Sequence, residues 1–219
     1  MRQNTLMRLD HVSYVASHDQ ISDVVNRIGS QIGTAFIDGG IHPKFGTRNF
    51  TAPLLNGQYI EIVCPLDHPA TDATPFGQAV KKKAEAGGGW LTWVFSTEDI
   101  SAIEDKFSRK SIEATRVLPN GLELKWKQIG VSEIVNSNEL PFFIQWLTPN
   151  HPSESNDHCA SIQKITISSL GKILNSVYRD EIYSGINGIE IEFINMEEDY
   201  SEGIFSIDFN TKKGVVQIN

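Results

Sequence analysis

HVSYVAS, His11 to Ser17, reads as a short β-strand that runs into an amphipathic helix, and WLTWVFS, Trp90 to Ser96, repeats the reading. After the first copy, Ile21, Val24, Val25 and Ile28 keep helical spacing, Ser17 or Asp19 stands where a cap is needed, and Gly33 closes the helix. After the second, Ile100, Ile103 and Phe107 keep the same spacing within Glu98 to Arg109, behind a Ser96/Thr97 cap. The units also end alike: IEIVCP, Ile60 to Pro65, matches IQWLTP, Ile144 to Pro149. Two short matches in one order, around one series of elements, make an internal repeat.

Between its ends the first unit has a short strand near Phe36, a glycine-bounded loop GGIHPKFGT, and a strand from Arg48 to Leu55. The turn Asn56-Gly57 follows, then a strand from Gln58 to Val63. Asn-Gly between two apolar runs is a strong hairpin signal. The second unit follows a helix from Pro75 to Ala86 that stops at Gly87-Gly88-Gly89. Its later strands lie near Ala114 to Leu118, Leu122 to Ile129 and Pro141 to Leu147. The long polar connection GVSEIVNSNELP (130–141) has the character of a lid as much as of a plain loop. A third section offers a strand IQKITISS, a helix from Leu170 to Arg179, and the β runs IEIEFIN, GIFSIDF and GVVQI, with turns at Asn187-Gly188 and Lys213-Gly214. The expected fold is α+β. Paired βαβββ modules (about 8–65 and 88–149) fill residues 8–150, 151–159 form a polar linker, and a βαβββ-like half-module fills 160–219.

The bulk numbers exclude more than they assign. Hydrophobic residues make up 40% and charged residues 21% of the 219-residue chain, an ordinary globular balance. Acidic residues outnumber basic ones 27 to 19, for a net charge of −8, which argues against nucleic acid or an anionic membrane as partner. Cys64 and Cys159 belong to no CxxC spacing and read as reduced thiols of a cytoplasmic protein. No apolar run has the length of a signal peptide core or a membrane span.

Glu61 is the residue that asks for a function. On an alternating strand Tyr59, Glu61 and Val63 share one face, opposite Ile60 and Ile62. Facing inward, the carboxylate needs a partner; facing outward, it is an ordinary surface charge. The preceding loop mixes donors with turn formers (His42, Arg48, Asn49), and either a tight turn around Gly46 or a binding rim fits it. Alternation puts Arg48 and Asn49 on opposite faces, so at most one of them faces a site. Trp93, Trp126 and Trp146 read as core; His18, His68, His151 and His158 fall in caps or polar loops with no assigned role.

LDH at 9–11, GGxHPxxGTxN at 39–49, GxYIEI at 57–62 and PFFIQW at 141–146, in that order, resemble the vicinal oxygen chelate superfamily and, within it, a glyoxalase-like family of bacterial proteins. The resemblance implies that the paired modules curl into a cup whose first and last strands hold a metal. His11 and Glu61 would be the first module's ligands; Trp90 and Gln145 stand at the equivalent places in the second. Tryptophan cannot ligate and glutamine is a weak neutral donor. The implied set of His11, Glu61 and Gln145, with His42 if its loop folds over, would hold Mn²⁺, Fe²⁺ or Zn²⁺ weakly. The incomplete set argues against glyoxalase I activity itself.

Two functions follow from the resemblance. One is a lyase, isomerase or dioxygenase-like enzyme acting on a small oxygen-rich metabolite, with His11 and Glu61 catalytic. An unliganded Glu61 would have its proton affinity raised by burial and could serve as base. The other is a metal-free binder of the drug-sequestering kind, lined by Tyr59, Trp90 and Phe143. In either, His42, Arg48, Asn49 and Gln145 would touch the ligand, Arg48 by gripping an anionic group, and the family motif favours Asn49 as the cup-facing one. The spare edge of the third module suits a homodimer.

Overall fold

The computed structural model describes residues 7–154, 160–168, 179–186, 188–194 and 202–219. Strands β1 (Met7–Val15), β2 (Ile37–His42), β3 (Thr47–Pro53) and β4 (Tyr59–Pro65) build the first module around helix α1 (Ile21–Ile32). Strands β5 (Gly89–Thr97), β6 (Ile112–Val117), β7 (Glu123–Ile129) and β8 (Phe142–Trp146) build the second around α4 (Ser101–Phe107). Between them lie α2 (Pro69–Ala73), absent from the sequence reading, and α3 (Pro75–Glu85). The eight strands close into a barrel in the order β1-β4-β3-β2-β6-β7-β8-β5.

The two seams between modules are unequal. β1 and β5 pair antiparallel along almost their whole length, from Met7↔Thr97 to Val15↔Gly89. β2 and β6 meet at one pair, Ile41↔Val117. Within each module the first and last strands run parallel, His11↔Tyr59 to Val15↔Val63 in one and Val94↔Phe142 to Ser96↔Ile144 in the other.

Alternation divides the barrel's side chains into two cores. Outward residues such as Val12, Tyr14, Ile60, Trp93, Phe95 and Phe143 pack under α1, α4 and the C-terminal sheet. Inward residues such as Val15, Val63, Val94, Phe142 and Ile144 pack with Phe76 and Val80 of α3. The C-terminal sheet has the order β10-β9-β11-β12, from β9 (Ala160–Ser168), β10 (Glu190–Ile194), β11 (Gly203–Thr211) and β12 (Gly214–Ile218). It repeats the modules' order of elements but not their pairing, because β9 lies beside β10, the first strand after helix α5 (Arg179–Gly185), rather than beside the last. The expected helix from Leu170 falls, up to residue 178, outside the described residues, as do Cys159, His158 and Asn187 of the expected turn.

Some local expectations are corrected. GGIH is part of β2, not loop; the chain reverses at residues 43–46, where the amides of Phe45 and Gly46 both donate to the His42 carbonyl. Neither Ser17 nor Asp19 caps α1, whose N-cap is Gln20, with no side-chain hydrogen bond at that end. α4 starts late, at Ser101, with Asp99 Oδ1 accepting the Ser101 amide at 2.9 Å. Asn56 and Gly57 take the positive φ values, 64° and 69°, that a tight hairpin demands. The 130–141 connection is packed down: Ile134 is buried, and the Glu139 and Leu140 carbonyls accept from Trp93 and Thr92.

Candidate functional site

The inside of the barrel holds a cavity of about 30 Å³, lined by His11, Tyr59 and Glu61 from the first module and by Arg116, Trp126, Gln128, Phe142, Ile144 and Trp146 from the second. His42, Phe45 and Phe76 close it. Aromatic rings make most of the wall, and the charged groups converge on it.

His11 reaches the cavity through a break in strand alternation. The β1–β5 register shifts between Leu9 and His11, leaving Asp10 as an extra residue. Neighbours on a regular strand point to opposite faces; at this bulge the side chains of Asp10 and His11 turn to each other, His11 Nδ1 lying 2.8 Å from Asp10 Oδ1. Asp10 is fully buried. Its Oδ2 accepts from Trp146 Nε1 at 3.1 Å and faces His151 Nε2 at 3.0 Å and Arg8 Nη2 at 3.5 Å. Burial alone would raise its pKa, but the contacts to His11 and His151 hold it well below the usual carboxylate range. An ionised carboxylate only accepts, so His11 carries its proton on Nδ1 and keeps Nε2 for the cavity. The imidazole is fixed from its face as well, stacked on Tyr59 with 4.4 Å between ring centres.

Glu61 is buried and faces inward, which settles its two readings. Ser13 Oγ donates to Oε2 and Asn49 Nδ2 to Oε1, both at 2.7 Å. Burial pushes its pKa up, yet the electrostatic pull of the His11 and His42 rings, the Ser13 hydroxyl and the Arg116 charge outweigh that and leave it lowered. The expectation of a raised proton affinity is therefore corrected: two donors stabilise the anion, and Glu61 is a fixed negative charge rather than a strong base. His42 also lines the cavity, its Nδ1 3.0 Å from Thr47 Oγ1 and its ring edge-on to Phe45, Phe76 and Trp126. Burial first, with the Arg116 charge beside it and against the pull of Glu61, lowers its pKa to about 4, so it is neutral at pH 7.

Four expected site residues lie elsewhere. Arg48 points off the barrel, bound to Asp38 at 2.5 Å and lying over Phe50. Gln145 faces outward and caps α4, its Oε1 accepting the Ile100 amide at 3.3 Å and its Nε2 donating to the Glu98 carbonyl at 2.7 Å. Phe143, its neighbour by two, packs outside against Phe95 and Phe107. Trp90 is also outside, its Nε1 donating to the Ile218 carbonyl of the C-terminal sheet at 2.9 Å. The cause is register. Parallel pairing puts Val94 and Ile144 where the first module has His11 and Glu61; a second bulge, at Leu91, turns Trp90 out. Residues that the sequence reading gave no site role line the cavity instead: Arg116, and Trp126 and Trp146, which it read as core; Asp10 and His151 stand behind His11.

The donors do not fit a divalent metal. The second module offers Val94 and Ile144 where donors would stand, and Gln145 faces away. Among the described residues no group of three or more His, Cys, Asp and Glu is placed to hold an ion.

The family model of a glyoxalase-like domain matches residues 9–172. The chain belongs to the glyoxalase-like domain family. This places it in the vicinal oxygen chelate superfamily, and members of that family are small-molecule-binding or metabolic proteins. The glyoxalase-like chain is similar over 98% of its length to 99% of a hypothetical protein from Staphylococcus aureus, at TM-score 0.67 and 16% identity. Sixty-six per cent of it overlays 92% of methylmalonyl-CoA epimerase from Mycobacterium tuberculosis at TM-score 0.44 and 14% identity, a likeness too distant to bear on function. No curated protein matches the sequence. Among the described residues no helix is long and apolar enough to cross a membrane.

Proposed function

We propose that this glyoxalase-like protein is an enzyme that moves a proton on a small oxygen-rich metabolite without a resident metal. The observation that carries the reading is the 2.8 Å contact between His11 and Asp10 inside the cup. Asp10 sets the tautomer and angle of the ring, and Nε2 is the base. When Nε2 takes a proton, the imidazolium forms between two fixed anions, Asp10 on its Nδ1 side and Glu61 across the cavity. Neutral His42 keeps its Nε2 for hydrogen-bonding to a substrate oxygen. The aromatic wall excludes water, which strengthens each of these interactions.

A cavity of about 30 Å³ takes a group of a few heavy atoms, whereas sites for drug-sized ligands run to hundreds of Å³. Sequestration of a large drug is therefore the weaker reading. The test is a panel of small carbonyl compounds incubated with the protein in D₂O, with C–H exchange followed by NMR and binding by saturation transfer. Expected is exchange on at least one compound, abolished by His11→Ala and untouched by EDTA. Compounds that bind yet keep every C–H would overturn the enzyme in favour of a binder; a rate lost to EDTA and restored by Mn²⁺ would replace the mechanism with a metal-dependent one.

A further inference from the structure

Arg116 is a buried cation with no direct hydrogen-bond or ion-pair partner among the described residues. It is 3% exposed, lines the cup beside Glu61 and His42, and makes no hydrogen bond or ion pair within the described residues; its Nε is a buried donor without a partner. Glu61 acts on it through space only: its carboxylate accepts from Ser13 and Asn49 and makes no direct bond to the guanidinium. The backbone makes room for it: a Cβ at Gly39 would stand 3.1 Å from Arg116 Nη1 and 2.2 Å from Asn49 Oδ1. Asn49 Oδ1, itself a buried acceptor without a partner, is neutral and cannot balance the guanidinium.

A buried, unpaired charge is expensive, and sequences discard it unless something completes it. We infer that Arg116 is the anchor for a carboxylate on the substrate, so that the cup takes small organic acids. The guanidinium fork matches a carboxylate in two parallel hydrogen bonds. A cavity of about 30 Å³ suits a carboxylate-sized group. Anchored there, the acid would present its adjacent carbon to the side of the cup that holds His11. This assignment of substrate class rests on the proton-transfer reading, but the anchor is tested by binding alone.

The probes are glycolate and its neutral amide, glycolamide, titrated into the full ¹⁵N-labelled chain and followed by amide shifts. Glycolate should bind about 10- to 100-fold tighter than glycolamide, the range of a charge-assisted pair. Arg116→Met should erase that preference, Arg116→Lys should keep part of it, and Arg48→Ala, off the barrel, should leave it in place. Equal affinity of wild type for the two probes, no binding of either, or a preference that survives Arg116→Met would overturn the anchor. The wild-type comparison stands even if a variant fails to fold. Glycolate preference without exchange on any compound would leave the anchor and remove the proposed chemistry; exchange on neutral carbonyl compounds without that preference would do the reverse.

Discussion

The two halves of the barrel share one strand pairing and have opposite chemistry. His11 and Glu61 line the first module's first and last strands, held by Asp10, Ser13 and Asn49. The matching places in the second module hold Val94 and Ile144, and its one charged lining residue, Arg116, has come in from β6 instead. A pleated sheet needs alternation and register to close; it does not need a given residue at a given inward position. Duplication thus delivers two copies of a scaffold and leaves each wall free to differ: one a proton-handling surface, the other an aromatic and cationic one.

The sharpest way to break that contrast is to exchange the work of equivalent positions. His11→Ala should cut C–H exchange by about 10²–10⁴-fold, the range for a general base, whereas Val94→Ala should leave the rate per folded molecule nearly unchanged. Comparable losses in both would show that the wall, not the imidazole, carries the chemistry. Next in size is packing. Trp90→Ala removes a ring buried against Phe209 and bonded to Ile218, and should cost about 3–5 kcal/mol in urea denaturation with probe binding retained. Loss of binding at full stability would return Trp90 to the site.

The third test uses pH. The His42 pKa is depressed from 6.5 to about 4 in the folded protein, so between those values the unfolded chain binds a proton that the folded one refuses. Stability should therefore fall as pH drops from about 6.5 towards 4, by about 3 kcal/mol at most, and His42→Asn should remove that part of the slope. A variant as pH-sensitive as the wild type would deny the burial assigned to His42. The smallest effect belongs to Arg48. Its half-exposed pair with Asp38 should contribute less than about 1 kcal/mol, so Arg48→Ala should shift the melting midpoint little and leave glycolate binding alone.

The tandem architecture was legible because strand, capped helix and closing strand recur in one order, and Glu61 was legible as a charge on an apolar strand; the cup placement of His11 and Glu61 came with the resemblance, and His42 was read in a loop that had to fold over to join them. What the sequence hid was phase. The match of Glu61 to Gln145 missed by one residue, and on a period-two strand that exchanges inside for outside. The match of His11 to Trp90 missed by four, an even step that would have kept the face had Leu91 not formed a bulge. Arg116 hid for a simpler reason. In IEATRV it shares a face with Ala114, and one arginine on a short strand is an ordinary surface feature until its neighbours enclose it. Asp10 and His151 needed tertiary contacts across most of the chain to become visible.

The unequal seams give this barrel a mechanical bias. Eight strands close the ring, yet along the β2–β6 line that closure is a single residue pair, Ile41 with Val117. His42 and Arg116 are the chain neighbours of those two residues. Local opening follows the fewest bonds, so thermal breathing should part the ring there first, swinging an imidazole and a guanidinium away from each other while the β1–β5 hinge holds. Amide exchange should be fastest along that line and slow along β1. A charged guest would then find its doorway beside its own counter-ion, and by bridging the gap it would latch the door behind it.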